Sequence, residues 1–280
     1  MAERGDPSAL RWLIGVELTN YRKRSGLTLA EAAKAIGCSP AKVGHLESGR
    51  NQQQPADVTD LMRGYGADQS DIDRLASLAA SADQQTWWAP WTEVVPDWLR
   101  TFVGLEGLAS HVHDYSTAVF PALLQTEAYS LGVTEGNIRV RPDHNERVVG
   151  LRMDRQQRVF SEVEPLCLTA VIEEAVLDRP IGGREVMRRQ LEYLITMSSR
   201  DNVEIRVVPT SVGRHDALIG PFNVLDFPQA QSIGYVEVLN GALYVQDQDQ
   251  VDGYTRAIRG LLEIALSPAD SVAAFRSRIT

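Results

Sequence analysis

The chain has 280 residues, 44% hydrophobic and 23% charged, with a formal net charge of −9; it is long for one compact domain and ample for a core without staples. No apolar run approaches the roughly 18 residues of a membrane span, and Met1-Ala-Glu-Arg-Gly-Asp-Pro7 lacks a signal peptide's apolar segment, so a cytoplasmic protein with no membrane partner is expected. The acidic balance argues against indiscriminate coating of nucleic acid, yet residues 1–50 carry eight Lys/Arg against five Asp/Glu, a basic head on an acidic body.

Ile14, Leu18 and Tyr21 recur at helical spacing with Arg22, Lys23 and Arg24 turned outward, which predicts an amphipathic helix closed by Gly26. Thr28-Leu-Ala-Glu31 reads as a capping box opening a second helix at Leu29. Ala33 is small where that helix would cross the next one, and Gly37 suits a turn that needs positive φ. Cys38 is expected to tuck into the core. Ser39 as N-cap and Pro40 at the first position predict a third helix, Pro40 to Ser48, ended by Gly49.

Val43 and Leu46 would point inward, leaving Ala41, Lys42, Gly44 and His45 free to approach a groove. Helices over about 55–65 and 70–81 complete an all-α, five-helix helix-turn-helix domain spanning 1–82. Asn51-Gln-Gln-Gln-Pro55 forms a polar loop able to run along a DNA backbone, and Gln84-Gln-Thr86 marks a boundary. The plainer alternative is a structural helical hairpin with a solvated face, which the alanine, glycine and apolar spacing argue against. Double-stranded DNA is the expected partner. Lys23, Lys42 and Arg50 are candidates for phosphate contacts, which set register and affinity. His45 can donate to a guanine acceptor and Ala41 can touch a thymine methyl, while Thr28, Ser39 and Pro40 at the helix starts complete the DNA-facing set. A face so poor in long polar side chains implies modest specificity per half-site, with a homodimer supplying the rest.

The remainder, 83–280, changes character. Trp87, Trp88, Trp91 and Trp98 are four of the five tryptophans; they suit a partner-binding surface or, more plainly, docking between segments of the body. Asp97 is expected to cap a helix running to His111. Strand-like runs fall at 115–120, 166–172, 203–208, 222–227, 233–238 and 243–245, with helical patterns at 123–131, 145–160, 183–199, 247–266 and 268–277. The last three strands follow through short turns such as Asn240-Gly241, predicting an α+β domain with a mainly antiparallel sheet.

Chemistry is sparse. Cys38 and Cys167 stand far apart without CxxC spacing and read as two buried thiols of a reducing compartment. His111 and His113 would share a face only on a strand, and no carboxylate or cysteine stands at ligand spacing, so no metal is expected. His215-Asp216 are adjacent, a poor geometry for an acid–base dyad, and Glu173-Glu174 are expected to point apart and stay solvated. GxSxG, HExxH, GxxxxGK[ST] and GxGxxG are all missing. A non-enzyme without cofactor is the reading, beside two alternatives: a small-molecule pocket using Gln125, Tyr129, His215, Tyr235 and Glu237, or a DNA-tethered hydrolase.

Leu27 through Arg50 resembles the core of XRE-type, lambda-repressor-like DNA-binding domains. That resemblance implies that Pro40, Ala41 and His45 face bases and that Arg22 and Glu47 form a buried pair tying the first helix to the recognition helix. Leu29 stands where that family often has a phosphate-binding glutamine. Trp91 to Glu106, Pro121 to Tyr129, Gly182 to Arg188, Gly213-Arg-His215, Gly220-Pro-Phe222, Tyr235-Val-Glu237 and Gly241 to Tyr244 together resemble the C-terminal domain of WhiJ-like actinobacterial regulators. This second resemblance implies a developmental or antibiotic-related regulator paired with a small protein encoded nearby, in an antitoxin-like arrangement.

Overall fold

A computed structural model of the chain describes residues 5–81 and 86–279; the 82/83 boundary and Gln84-Gln85 lie outside the described residues. The head comprises α1 (Pro7–Arg24), α2 (Leu29–Ala35), α3 (Pro40–Glu47), α4 (Pro55–Gly64) and α5 (Gln69–Ala80). Each start has a local cause. The Asp6 side chain accepts from the amides of Ser8 and Ala9, and Pro7 stands at the first position of α1. Thr28 and Glu31 form the reciprocal capping box at α2, and Ser39 caps α3 through the Lys42 amide. Gly37 and Gly49 take the left-handed conformation that the two turns require, at φ 69° and 68°.

The body begins with a short 3-10 turn, Ala89–Trp91, and continues through α6 (Asp97–Leu108), β1 (His111–Ser116), α7 (Glu127–Thr134), α8 (Asn145–Gln156), β2 (Cys167–Glu173), α9 (Glu174–Leu177), α10 (Arg184–Met197) and β3 (Val203–Val208). It ends with β4 (Phe222–Asp226), β5 (Ile233–Val238), β6 (Gly241–Val245), α11 (Gln248–Ile264) and α12 (Pro268–Arg276). The strands form one six-stranded mixed sheet in the order β3-β2-β1-β4-β5-β6. The β1–β4, β4–β5 and β5–β6 pairs are antiparallel, as expected, whereas β1–β2 and β2–β3 are parallel. Parallel neighbours need long crossovers, and α7 with α8, then α9 with α10, supply them.

Helices cover both faces of the sheet. Val112, Leu168, Ile205, Leu225 and Tyr235 meet Phe102, Leu191, Leu194 and Phe275 on one side. Tyr115, Val171, Val224 and Val245 meet Val251, Ile258 and Leu261 of α11 on the other.

Several expectations are corrected. β1 occupies His111–Ser116 rather than 115–120, because its polar residues find partners across the sheet and need no apolar alternation: His111 with Thr169, and His113 with Asp226. Phe120 is fully buried without being in a strand. Asp97 is the first residue inside α6, with extended Pro96 before it, a place where a carboxylate still complements the helix N-terminus. Neither cysteine is a buried core thiol: Cys38 is half-buried at the turn and Cys167 is exposed at the first residue of β2.

The larger departure concerns α1. Ile14 and Leu18 enter the head core, while Ala9, Leu13 and Val16 enter the core of the body. A helix apolar on both sides is a buried helix shared by two partners. Gly104 makes the approach to α6 tight, since a Cβ there would stand 2.7 Å from the Ala9 methyl.

Polar contacts extend the junction. The Trp88 indole donates to the Asp6 carboxylate. Glu17, 3% exposed, accepts from Arg74 of α5 and from the Gln231 amide. The Asn20 amide reaches the Gln246 carbonyl at 2.8 Å.

Candidate functional site

The candidate recognition face is assembled around a fixed inner side of α3. Val43 and Leu46 are buried, and Glu47 at its end is held by α1. The Arg22 guanidinium donates to both Glu47 oxygens at 2.7 to 3.0 Å and to the Leu27 carbonyl at 2.9 Å. The Tyr65 hydroxyl donates to the same carboxylate at 2.9 Å; burial, then the charge of Glu47, pushes the Tyr65 phenol well up. With its inward charge neutralised this way, α3 leaves Pro40, Ala41, Lys42 and His45 exposed, and Arg50 is exposed just beyond it.

The charges on that face are not equivalent. The Lys42 ammonium already meets Asp57 of α4 at 2.7 Å, so a phosphate must compete for it. Lys23 borders a cleft between head and body beside Asp247 and Asp249. The Thr28 and Ser39 hydroxyls are engaged as caps. The polar loop before α4 is only partly free, since Gln53 is buried and its amide donates to the Arg11 and Leu46 carbonyls. Sequence reasoning missed Gly15, whose Cβ would stand 2.4 Å from the Glu47 carbonyl oxygen; a glycine inside an apolar helix is the signal for such a crossing.

The body holds a cavity of about 740 Å³ between α6, β1, α8 and β5, within the usual size of a small-molecule site. Of the expected pocket residues, Gln125, Tyr235 and Glu237 line it. Tyr129 is buried and does not line it, the Phe120 amide donating to its hydroxyl. His215 lies against the opposite sheet face, paired with Glu173 at 3.1 Å rather than with Asp216. Glu173 and Glu174 point apart as expected but are both partnered and only partly solvated: Glu173 also accepts from the Tyr115 hydroxyl, and Glu174 pairs with Arg278.

Trp88 packs with Val95, Val103 and Leu151, with Trp87 and Trp91 alongside, and the Trp91 indole donates to Asp154. It is Trp98, from the same run, that lines the cavity.

Apart from Glu237, the charged residues of the cavity wall were not singled out from the sequence. Arg155 makes a bidentate, buried pair with Glu106 at 2.7 and 2.8 Å, and Arg139 pairs with Glu237. Burial pushes the Asp114 carboxyl up, against the lowering pull of its hydrogen bonds from Ser116 and Asn223. Burial, aided by nearby Arg155, pulls the Arg152 guanidinium down to about 10. Arg152 and Arg155 stand three apart on α8, the spacing of one helix face, which is the signal the sequence offered.

A third grouping lies on β1. The fold brings Asp226 of β4 opposite His111 and His113, so that one ligand atom from each lies within 4.8 Å of the others. The carboxylate at ligand distance, not found from spacing, thus comes from a strand more than a hundred residues away. The three could hold a divalent cation, though His113 and Ser232 already occupy the two Asp226 oxygens.

Residues 13–75 match the family described as helix-turn-helix domain, and residues 99–277 match the family described as domain of unknown function, DUF5753. Neither the curated proteins nor the solved structures include a significant match. Among the described residues no helix is long and apolar enough to cross a membrane.

Proposed function

Because the chain belongs to the DUF5753 family and joins that domain to a helix-turn-helix head, we propose that it is a sequence-specific transcriptional regulator whose body receives a signal. The helix-turn-helix match supports a DNA-binding regulator; the proposal adds two heads per dimer, a non-catalytic body and a stimulus. One observation carries it. The outer side of α3 presents Ala41, Lys42 and His45 to solvent, while its inner side is clamped by Val43, Leu46 and the Arg22–Glu47 pair. That is how a recognition helix must stand to enter a major groove.

Selection of the full chain against a random duplex library tests this reading. A motif with two half-sites about one helical turn apart is expected, weakened when His45→Ala is used in place of the parent. Recovery of unenriched sequence by the folded protein would refute it.

Two sources of stimulus differ in their support. A small partner protein in an antitoxin-like arrangement follows from the resemblance to WhiJ-like regulators. A small-molecule effector follows from the cavity, and the polar groups converging there favour it.

A further inference from the structure

The cavity is chemically unbalanced. Of its interior acids, Glu106 pairs with Arg155 and Glu237 with Arg139, while Asp114 accepts from the Ser116 hydroxyl at 2.6 Å. Arg152 is the remaining cation of the inner wall. Among the described residues it has no carboxylate partner, and only its Nη1 is bonded, to the neutral Gln125 amide oxygen at 3.1 Å and the Ser130 hydroxyl at 3.3 Å. Gln125 is itself fixed by donating to the Phe120 carbonyl, so the guanidinium is held from one side with its other donors free. A guanidinium taken largely out of water with no carboxylate bonded to it is costly, and an arriving anion relieves that cost through a charge-assisted, bidentate contact.

Tyr235 lines the same space, and its hydroxyl is buried without a hydrogen-bond partner among the described residues, on a side chain 2% exposed. Such a group calls for a ligand or solvent atom. Trp98, Phe102, Phe120 and Leu151 supply an apolar part of the wall.

We propose that the cavity takes a small organic monocarboxylate, its carboxylate on Arg152 and its apolar part against Trp98 and Phe102. One unbalanced guanidinium matches one negative charge; a phosphate dianion would leave charge buried in the same wall. This rests on, and sharpens, the reading of the body as a receiver of signals.

The cavity is also physically continuous with the head. Tyr235 stacks on Phe102 at 4.1 Å and meets Tyr244 edge-on at 5.3 Å. Tyr244 in turn meets Trp12 of α1 at 5.4 Å, and its hydroxyl donates to the Trp98 carbonyl. A ligand that shifts Trp98 or Phe102 therefore presses on rings packed against the helix that carries α3.

The test is calorimetry on the full chain, without DNA, using 4-phenylbutyrate, hexanoate and indole-3-acetate, with the matched amides and phenyl phosphate. At least one acid is expected to bind about tenfold more tightly than its amide and to quench tryptophan fluorescence. Arg152→Gln should erase that preference and Arg152→Lys should retain part of it. Circular dichroism checks that each variant is folded. Equal binding of acid and amide, no binding of any acid at millimolar concentration, or phenyl phosphate outcompeting every acid would overturn the assignment.

A second arm adds the acid to the selected duplex, where a change in affinity is expected. Binding without that change would overturn the signalling role. The DNA-free arm succeeds or fails independently of whether the head reads sequence.

Discussion

Arg50 and Lys42 show how one residue type can carry unequal weight. Both are exposed cations beside the recognition face, but Lys42 is engaged by Asp57 while no ion pair involves Arg50 among the described residues. Replacing Arg50 with alanine should lower affinity for all duplexes and flatten the salt dependence by about one unit of slope. Lys42→Ala should cost less, and Asp57→Asn should raise affinity by releasing the ammonium. Equal effects of Arg50→Ala and Lys42→Ala in a salt titration would contradict this ranking.

A pH effect belongs to the same scale. Burial, and then the neighbouring His113, hold His111 down to about 4, from 6.5. In that window the unfolded chain binds the proton and the folded one resists it. This contribution is therefore intact above about 6.5 and lost as pH falls toward 4. Urea midpoints at about pH 7 and about pH 5 should differ less in His111→Gln than in the parent.

Residues of this kind were unevenly legible. Arg22 and Glu47 were visible through a family resemblance and His45 through the helical face it occupies. Arg152 was not, because a polar residue in a helix reads as solvated until the fold closes over it.

Among elements, the helix starts were the most readable, since Thr28, Ser39 and Pro40 act on their own immediate neighbours. The antiparallel hairpins were readable for the same local reason: β5 and β6 are joined by two residues, Leu239 and Asn240. The parallel pairing of β1, β2 and β3 was not, because it is decided by crossovers dozens of residues long. Nor was the place of Asp226 beside two histidines, which only strand register creates.

Glycines separate element packing from local propensity. Gly15→Ala should destabilise by about 1–3 kcal/mol, because its Cβ would collide with the α3 backbone at 2.4 Å. Gly260→Ala, in α11 with nothing within 4 Å of the new methyl, should stabilise by about 0.4–1 kcal/mol. Denaturant unfolding of the two variants measures both signs; a neutral Gly15→Ala would mean that α1 and α3 are less tightly apposed.

At the scale of the whole molecule, a basic head and an acidic body were legible from charge alone, and the helix-turn-helix from spacing. What composition could not convey is how the two halves are joined. α1 belongs to both, filling the head core with Ile14 and Leu18 and the body core with Leu13 and Val16. Its cap Asp6 and its polar residues Glu17 and Asn20 are likewise divided between the body and α5.

A shared helix makes the reading head part of the frame rather than a pendant on a string. The separation of two heads in an assembled pair would then be dictated by how the bodies meet, so operator spacing becomes a property of the larger half. The same sharing means that severing the chain after residue 81 would bare Ala9, Leu13 and Val16 to water, leaving a fragment prone to self-association instead of a free-standing reader of DNA.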